Sequence, residues 1–245
     1  MFIPHRLILH IPHSGTEFYD NQKPFARLFL EKARDLVDWY TDELFSPDEG
    51  DKRILPVVFP LCRTACDVER MTDDPLEEKN LGIIYDGGNP LGDRSGIVST
   101  GDRNYAQVRR YDEYVGHHHR MENLILSNSG SLVIDCHSFS SGPTLLLPDS
   151  GAASKYDICI GFNEDRTRPD DKFIGTVCSH FEALGYKVGV NEPFSNSKTF
   201  STPVIYKSIM IEVNKRLYMD EETLEKTEGF RILHRQILDL YEKIL

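Results

Sequence analysis

The sequence predicts an α/β fold, with a mostly parallel, mixed β-sheet that carries helices on both faces. Short apolar runs rich in β-branched residues alternate with amphipathic helical stretches, which is typical of parallel sheets covered by helices. The 245 residues, 40% of them hydrophobic, are enough for one sizeable core, and no repeat or linker divides the chain. We therefore expect residues 1–245 to form a single domain.

Seven apolar runs predict strands and four periodic stretches predict helices. The predicted strands are residues 7–12, 53–59, 131–136, 143–147, 157–162, 186–190 and 204–213. The predicted helices are residues 24–46, 104–128, 170–184 and 221–244, with Asp170 and Asp220 at N-cap positions. Segment 86–103, rich in Gly, Asp and Ser, predicts a long surface loop. Ligand-binding groups in such folds collect at the carboxyl ends of strands, so residues at strand exits are the first candidates.

Composition excludes several classes of partner. The 28 basic and 39 acidic side chains give a net charge of -11, which disfavours binding to nucleic acid or to an anionic membrane. No apolar run approaches the ~20 residues of a membrane-spanning helix, and the N-terminal residues do not resemble a signal peptide. The five cysteines form no CxxC pair and are expected to be reduced, structural thiols. We expect a cytoplasmic protein that acts on a small molecule.

Two histidines follow predicted strands in the same manner. "LILHIPHSG" places His13 after the first strand, and "VIDCHSF" places His137 after the third. A single exposed histidine is usually only polar surface, but a matched pair at one edge of a sheet suits zinc, for which neutral imidazole is a good ligand. Catalytic zinc takes three protein ligands and keeps a fourth position for water. A third ligand is therefore required.

The stretch "DLVDWYTDELF" offers the third ligand. Asp38 and Asp42 are four residues apart and share one face of the predicted helix 24–46. Either carboxylate can complete the site, and both can equally be solvated helix charges. Asp135, two residues before His137, is a candidate to orient an imidazole through its second nitrogen, with a helix cap or a buried acceptor as the alternatives.

A carboxylate in an apolar strand is the candidate general base. Glu212 lies inside "SIMIEVN", where burial of a charge is unfavourable unless it is paired or used in chemistry. As a base it takes a proton from the attacking water and passes it to the leaving amine. The structural alternative is an ion pair with Lys215 or Arg216.

Two arginines in "LCRTACDVER" are candidates for binding a substrate carboxylate. Arg63 and Arg70 follow another predicted strand, and a guanidinium matches a carboxylate with two parallel hydrogen bonds. The ordinary alternative is a surface ion pair with Asp67 or Glu69.

Competing chemistries lack their motifs. The sequence has no GxSxG, no GxGxxG after a strand, no GxxxxGK[ST] and no HExxH. The consecutive histidines 117–119 spread over about 200° of a helix, so at most one of them is expected near the pocket. A cysteine nucleophile, Cys66 or Cys136 with His137, has no recognisable local motif.

Six motifs resemble, in order and approximate spacing, those of the N-formylglutamate amidohydrolase family. They are "IPHSGT", "DWYTDELF", "RTACDVER", "DCHSF", "NEPFS" and "IEVNKRLYMDE". The resemblance implies a fold similar to that of the zinc carboxypeptidases and other zinc-dependent exopeptidases, with one zinc per chain. It also implies hydrolysis of the N-formyl, or a related N-acyl, amide of an acidic amino acid such as N-formylglutamate.

The resemblance also implies roles for individual residues. The implied roles are metal ligands (His13, His137 and either Asp38 or Asp42), catalytic carboxylate (Glu212) and substrate binding (Arg63, Arg70 and Asn191). Glu69 stands where family members commonly carry a neutral amide, so the amino acid bound is not fixed by the resemblance. The alternatives are a peptidase similar to the zinc carboxypeptidases and a metal-free binding or scaffold protein on the same fold.

Overall fold

One six-stranded sheet organises the part of the chain that the computed structural model describes, namely residues 6–20, 26–71, 82–83, 103–144 and 155–245 with residues 23 and 75. Its strands are β1 (Leu7–Ile11), β2 (Ile54–Val58), β3 (Leu132–Phe139), β4 (Ile158–Gly161), β5 (Val188–Val190) and β6 (Lys207–Asn214). The spatial order is β2-β1-β3-β6-β4-β5. All neighbouring strands are parallel except β4 and β6, which are antiparallel.

Helices cover both faces of this sheet. They are α1 (Ala26–Ala33), α2 (Thr41–Leu44), α3 (Arg103–Ser127), α4 (Asp171–Ala183) and α5 (Glu228–Ile244). On one face, Ile8 and Val133 pack with Ile125 of α3. The other face packs against α4 and α5 in a larger apolar cluster. The predicted α/β class, with its mostly parallel mixed sheet, is confirmed. Within the described residues, no helix has the length and apolar character needed to cross a bilayer.

The register of the central strands brings polar residues to one face of the sheet. His10 of β1 is paired with Asp135 of β3, and His137 of β3 is paired with Glu212 of β6. Paired residues on neighbouring strands share a face, and so do residues two apart along one strand. All four side chains therefore lie on the α3 side, while the apolar residues between them face α4 and α5.

The predicted helix 24–46 is wrong as a continuous element. The chain leaves the helical conformation after Ala33, and Tyr40, with φ 64°, precedes the short helix α2. A left-handed residue cannot continue a right-handed helix, so the two pieces are separate. In the turn between them the backbone N–H of Asp38 donates to the carbonyl of His13 at 3.0 Å. This contact ties the turn to the exit of β1.

Other boundaries also differ from the prediction. Strand β3 extends to Phe139, so His137 lies within the strand and not after it. Helix α5 begins at Glu228 and not at residue 221, because the Asp220 carboxylate accepts from two nearby backbone N–H groups in a turn. Asp170 is the N-cap of α4 as predicted, accepting from the Phe173 N–H. The predicted strand 143–147 and loop 86–103 fall largely outside the described residues.

A tight approach at the exit of β1 gives a prediction on stability. A Cβ added at Gly15 would lie 2.4 Å from the carbonyl oxygen of Pro60, whereas no described atom lies within 4 Å of a Cβ at Gly116 on α3. Gly15→Ala is expected to lower the free energy of unfolding by about 1–3 kcal/mol. The matched control, Gly116→Ala, should raise it by about 0.5–1 kcal/mol. Urea denaturation measures both, and a Gly15→Ala midpoint equal to that of the wild type would contradict the predicted clash.

Candidate active site

Three side chains of metal-ligand type converge at the carboxyl ends of β1 and β3. His13 leaves β1, Asp38 lies in the turn between α1 and α2, and His137 projects from β3; all three are buried. The distance between His137 Nδ1 and Asp38 Oδ2 is 3.1 Å, and that between His13 Nδ1 and Asp38 Oδ2 is 3.7 Å. The three ligand atoms lie within 4.8 Å of one another. They can therefore contact a common ion.

Each imidazole presents Nδ1 to this centre because a carboxylate holds Nε2. His13 Nε2 lies 2.8 Å from Asp67 Oδ1, and His137 Nε2 lies 3.1 Å from Asp135 Oδ1. An ionised carboxylate only accepts hydrogen bonds, so Nε2 of each ring carries a proton and Nδ1 is the nitrogen that faces the centre.

The chemistry of these donors fits a metal ion. His13 Nδ1 is buried and has no hydrogen-bond partner within the described parts of the chain, and burying a polar atom in this way is unfavourable unless a ligand satisfies it. Burial alone would raise the pKa of Asp38, but the neighbouring imidazoles of His13 and His137 hold it well below its usual range. Two imidazole nitrogens and one carboxylate oxygen suit zinc, with an open fourth position. Asp42, on α2, is half-buried and does not belong to this group.

Arg63 pairs with Asp67, the residue whose carboxylate accepts a hydrogen bond from His13. Its Nη2 and Nε donate to Asp67 Oδ2 at 2.9 and 3.2 Å, and its Nη1 donates to the Leu36 carbonyl at 3.2 Å. Burial alone would raise the pKa of Asp67, but Arg63, His13 and Arg70 hold it well below its usual range. The ion pair with Asp67 that the sequence left as an alternative is thus present, but it is buried and not on the surface.

A cavity of about 370 Å³ adjoins the three ligand-type residues, and Glu212 forms part of its wall. Glu212 is 8% exposed and stands opposite His137 in the pairing of β6 with β3. Its Oε2 is buried with no hydrogen-bond partner among the described residues, and burial raises its pKa to about 8. A carboxyl group of this kind can exchange a proton near neutral pH.

The structural alternative for Glu212 is not observed. Lys215 Nζ donates to the carbonyl of Asp35 at 2.9 Å, and Arg216 Nη2 donates to Asp157 Oδ1 at 2.7 Å. Within the described residues, neither cation forms an ion pair with Glu212. The Glu212 carboxylate instead lines the cavity.

Two of the three predicted substrate-binding residues line the cavity. Arg63 and Arg70 both line the cavity, and Arg70 Nε lies 3.5 Å from Asp67 Oδ2. Asn191 is not among the described residues that line it. Instead, with φ 52°, Asn191 occupies a turn and its Oδ1 accepts from the backbone N–H groups of Phe162 and Asn196.

Residues that the sequence analysis missed surround Asp135. His10 Nδ1 lies 2.8 Å from Asp135 Oδ1, and the backbone N–H of Lys198 donates to Asp135 Oδ2 at 2.7 Å. Of the three consecutive histidines, His117 reaches His10, with 2.9 Å between their Nε2 atoms, while His119 is exposed. The one indication in the sequence was a histidine inside a fully apolar strand.

The cysteine alternative finds no support at Cys136. Neighbouring residues of a strand point to opposite faces, and Cys136 lies in the apolar cluster on the α4 and α5 side, away from His137. Burial also raises the pKa of its thiol well above the usual value, which disfavours the nucleophilic thiolate.

Comparisons with known proteins agree on one family and one fold. The family model of N-formylglutamate amidohydrolase matches residues 5–219. The solved structure of N-formylglutamate amidohydrolase from Ralstonia eutropha JMP134 is similar at a TM-score of 0.61 and 21% identity, over 98% of this chain and 93% of that one. A gene product of Agrobacterium tumefaciens gives a TM-score of 0.62 and 16% identity, over 98% and 92% of the two chains. No curated protein matches.

The buried ion pair of Arg63 with Asp67 gives a prediction that tests whether Arg63 supports Asp67 or binds the substrate. Arg63→Met leaves the Asp67 carboxylate buried without its main cation, so the free energy of unfolding should fall by about 3–5 kcal/mol. Arg53, whose ion pairs with Asp51 and Glu242 lie at the surface, supplies the control: Arg53→Met should change stability by about 1 kcal/mol or less. Urea denaturation measures both. An Arg63→Met protein of wild-type stability would return this residue to the substrate-binding group.

Proposed function

The chain belongs to the N-formylglutamate amidohydrolase family, and from this premise we propose that it is a zinc-dependent amidohydrolase. It removes the formyl, or a related acyl, group from the nitrogen of an acidic amino acid such as N-formylglutamate. One zinc ion per chain is held by His13, Asp38 and His137. The observation that carries the proposal is the buried Nδ1 of His13. It has no hydrogen-bond partner among the described residues and lies within 4.8 Å of two further ligand atoms, beside a cavity that Glu212 lines.

The chain's own residues divide the work of amide hydrolysis. Zinc, when bound, supplies Lewis-acid activation of water and polarisation of the amide carbonyl. Glu212 accepts the proton of the attacking water on its carboxylate and delivers it to the departing amine nitrogen. Its position across the strand pair from His137 supports this role. Formate and a free amino acid are the products when the acyl group is formyl.

Arg70 is the proposed anchor for the substrate's carboxylate. It lines the cavity with a charged guanidinium, and its side chain is only 15% exposed, which strengthens an ion pair with a bound anion. Arg63 is assigned the supporting role, since it already donates three hydrogen bonds to Asp67 and Leu36. Glu69 shares the cavity wall with Arg70, so the second carboxylate of an acidic amino acid must lie away from Glu69.

The experiment that tests the function combines metal analysis with hydrolysis. Purified protein should contain about one zinc per chain and should release formate from N-formylglutamate faster than from N-formylleucine. A C-terminal dipeptide substrate tests the peptidase alternative. A protein that binds no zinc and cleaves none of these substrates would favour a binding or scaffold protein and would overturn the proposal.

Neutralising the proposed base should remove turnover while sparing the metal site. Glu212→Gln keeps the shape of the side chain, so we expect zinc content and melting temperature close to those of the wild type and a fall in kcat of about 10² to 10⁴. All three quantities are measured on one preparation. Near-normal kcat in zinc-loaded Glu212→Gln would exclude this residue as the general base.

The two aspartates that the sequence could not distinguish provide a matched pair. Asp38→Asn replaces a proposed ligand by a weaker one and should lose most of its zinc after dialysis against a chelator at a concentration that the wild type survives. Asp42→Asn, on α2 outside the cluster, should retain zinc like the wild type. Equal zinc content in the two variants would rule out Asp38 as a ligand.

A further inference from the structure

A pair of buried imidazoles continues the hydrogen-bond network beyond the residues given a role so far. His10 is 0% exposed and His117 is 6% exposed. Their Nε2 atoms lie 2.9 Å apart, and His10 Nδ1 lies 2.8 Å from Asp135 Oδ1. Asp135 in turn contacts Nε2 of His137 at 3.1 Å. The network therefore runs from helix α3, through strand β1, to the metal-ligand side chain on β3.

The chemistry of the groups fixes the contact with Asp135. Asp135 is acceptor-only when ionised, so Nδ1–H of His10 donates to it. Burial lowers the pKa of His117 to about 2, so this imidazole is neutral and shares one hydrogen bond with His10 between their Nε2 atoms. The chain of hydrogen bonds thus ends at the Asp135 carboxylate.

Packing holds the two rings in place. The ring of His10 meets the edge of Phe200 with 5.2 Å between centroids, and that of His117 meets Phe59 at 5.0 Å. The second oxygen of Asp135 accepts the backbone N–H of Lys198. With both oxygens fixed from outside, the carboxylate offers a single orientation to the third partner, the imidazole of His137.

We propose that His10 and His117 are positioning residues that act through Asp135 to hold the His137 imidazole with Nδ1 toward the metal. The proposal rests on the zinc site described above but concerns residues outside it. The supports of the two histidine ligands differ: Asp67 is held by the guanidinium of Arg63, whereas Asp135 is held by the imidazole of His10 and a backbone N–H. Loss of the imidazole pair should therefore weaken zinc binding by way of His137 alone.

Zinc affinity, measured by competition with a chromogenic chelator, tests the proposal. His10→Phe keeps the aromatic packing and removes both ring nitrogens, so the zinc dissociation constant should rise by about 10-fold to 100-fold, as for other residues behind a metal ligand. His10→Asn places an amide N–H near the position of Nδ1 and should recover most of the affinity. His10→Gln places its amide nearer Nε2 and should recover less. His119→Phe, on the exposed side of α3, is the control and should match the wild type.

The outcomes distinguish this proposal from failure of the zinc site itself. Wild-type zinc affinity in His10→Phe, with only a lower melting temperature, would overturn the positioning role and leave the zinc site intact. A wild-type protein that binds no zinc would overturn both. Because His10, Glu69 and Asp135 also lie within metal-ligand reach of one another, a second zinc equivalent that His10→Phe abolishes would overturn the proposal by making His10 a ligand. Should His10→Phe not fold, His117→Phe supplies the same test and should raise the dissociation constant several-fold.

Discussion

Asp67 and Asp135 each accept a hydrogen bond from Nε2–H of one histidine, and the geometry of the whole site depends on these two hydrogen bonds. A free imidazole can rotate and can carry its proton on either nitrogen. Once a buried carboxylate fixes Nε2–H, the ring is oriented and Nδ1 becomes a lone-pair donor at a defined point. The distances of 2.8 and 3.1 Å show this arrangement at both His13 and His137. The two Nδ1 atoms and an oxygen of Asp38 thereby lie within 4.8 Å of one another.

Buried carboxylates require compensation, and this requirement explains much of the surrounding structure. Burial of an ionised carboxylate is unfavourable by several kcal/mol unless charge and hydrogen bonds offset it. Arg63 compensates Asp67 from the segment after β2, and the Lys198 backbone N–H together with His10 compensates Asp135. Loops distant in sequence are thereby tied to the same edge of the sheet. Glu212, by contrast, has an oxygen with no hydrogen-bond partner among the described residues, which fits the proton transfer proposed for it.

Side chains alternate between the two faces of the sheet along each strand, so the polar residues of the site lie on one face and the core residues on the other. On β3, Asp135 and His137 face α3, while Ile134 and Cys136 between them face the apolar cluster beneath α4 and α5. One strand thus contributes to the hydrophobic core and to the site at once. Core packing holds the backbone rigid, so the polar side chains on the opposite face are held in fixed positions.

The sequence alone determined the fold class, because alternating strand and helix periodicities are local patterns and fix which faces must be buried. It also singled out His13, His137 and Glu212, since each is a polar residue in or directly after an apolar strand. Only the tertiary structure shows that Asp38, and not Asp42, lies beside His13 and His137: the break before Tyr40 and the contact of the Asp38 N–H with His13 depend on packing against β1. It also placed Arg63 on Asp67 and joined His10 to Asp135 across 125 residues of chain. The pairing of His10 with Asp135 arises from the register of the parallel strands β1 and β3, which no local pattern of residues encodes.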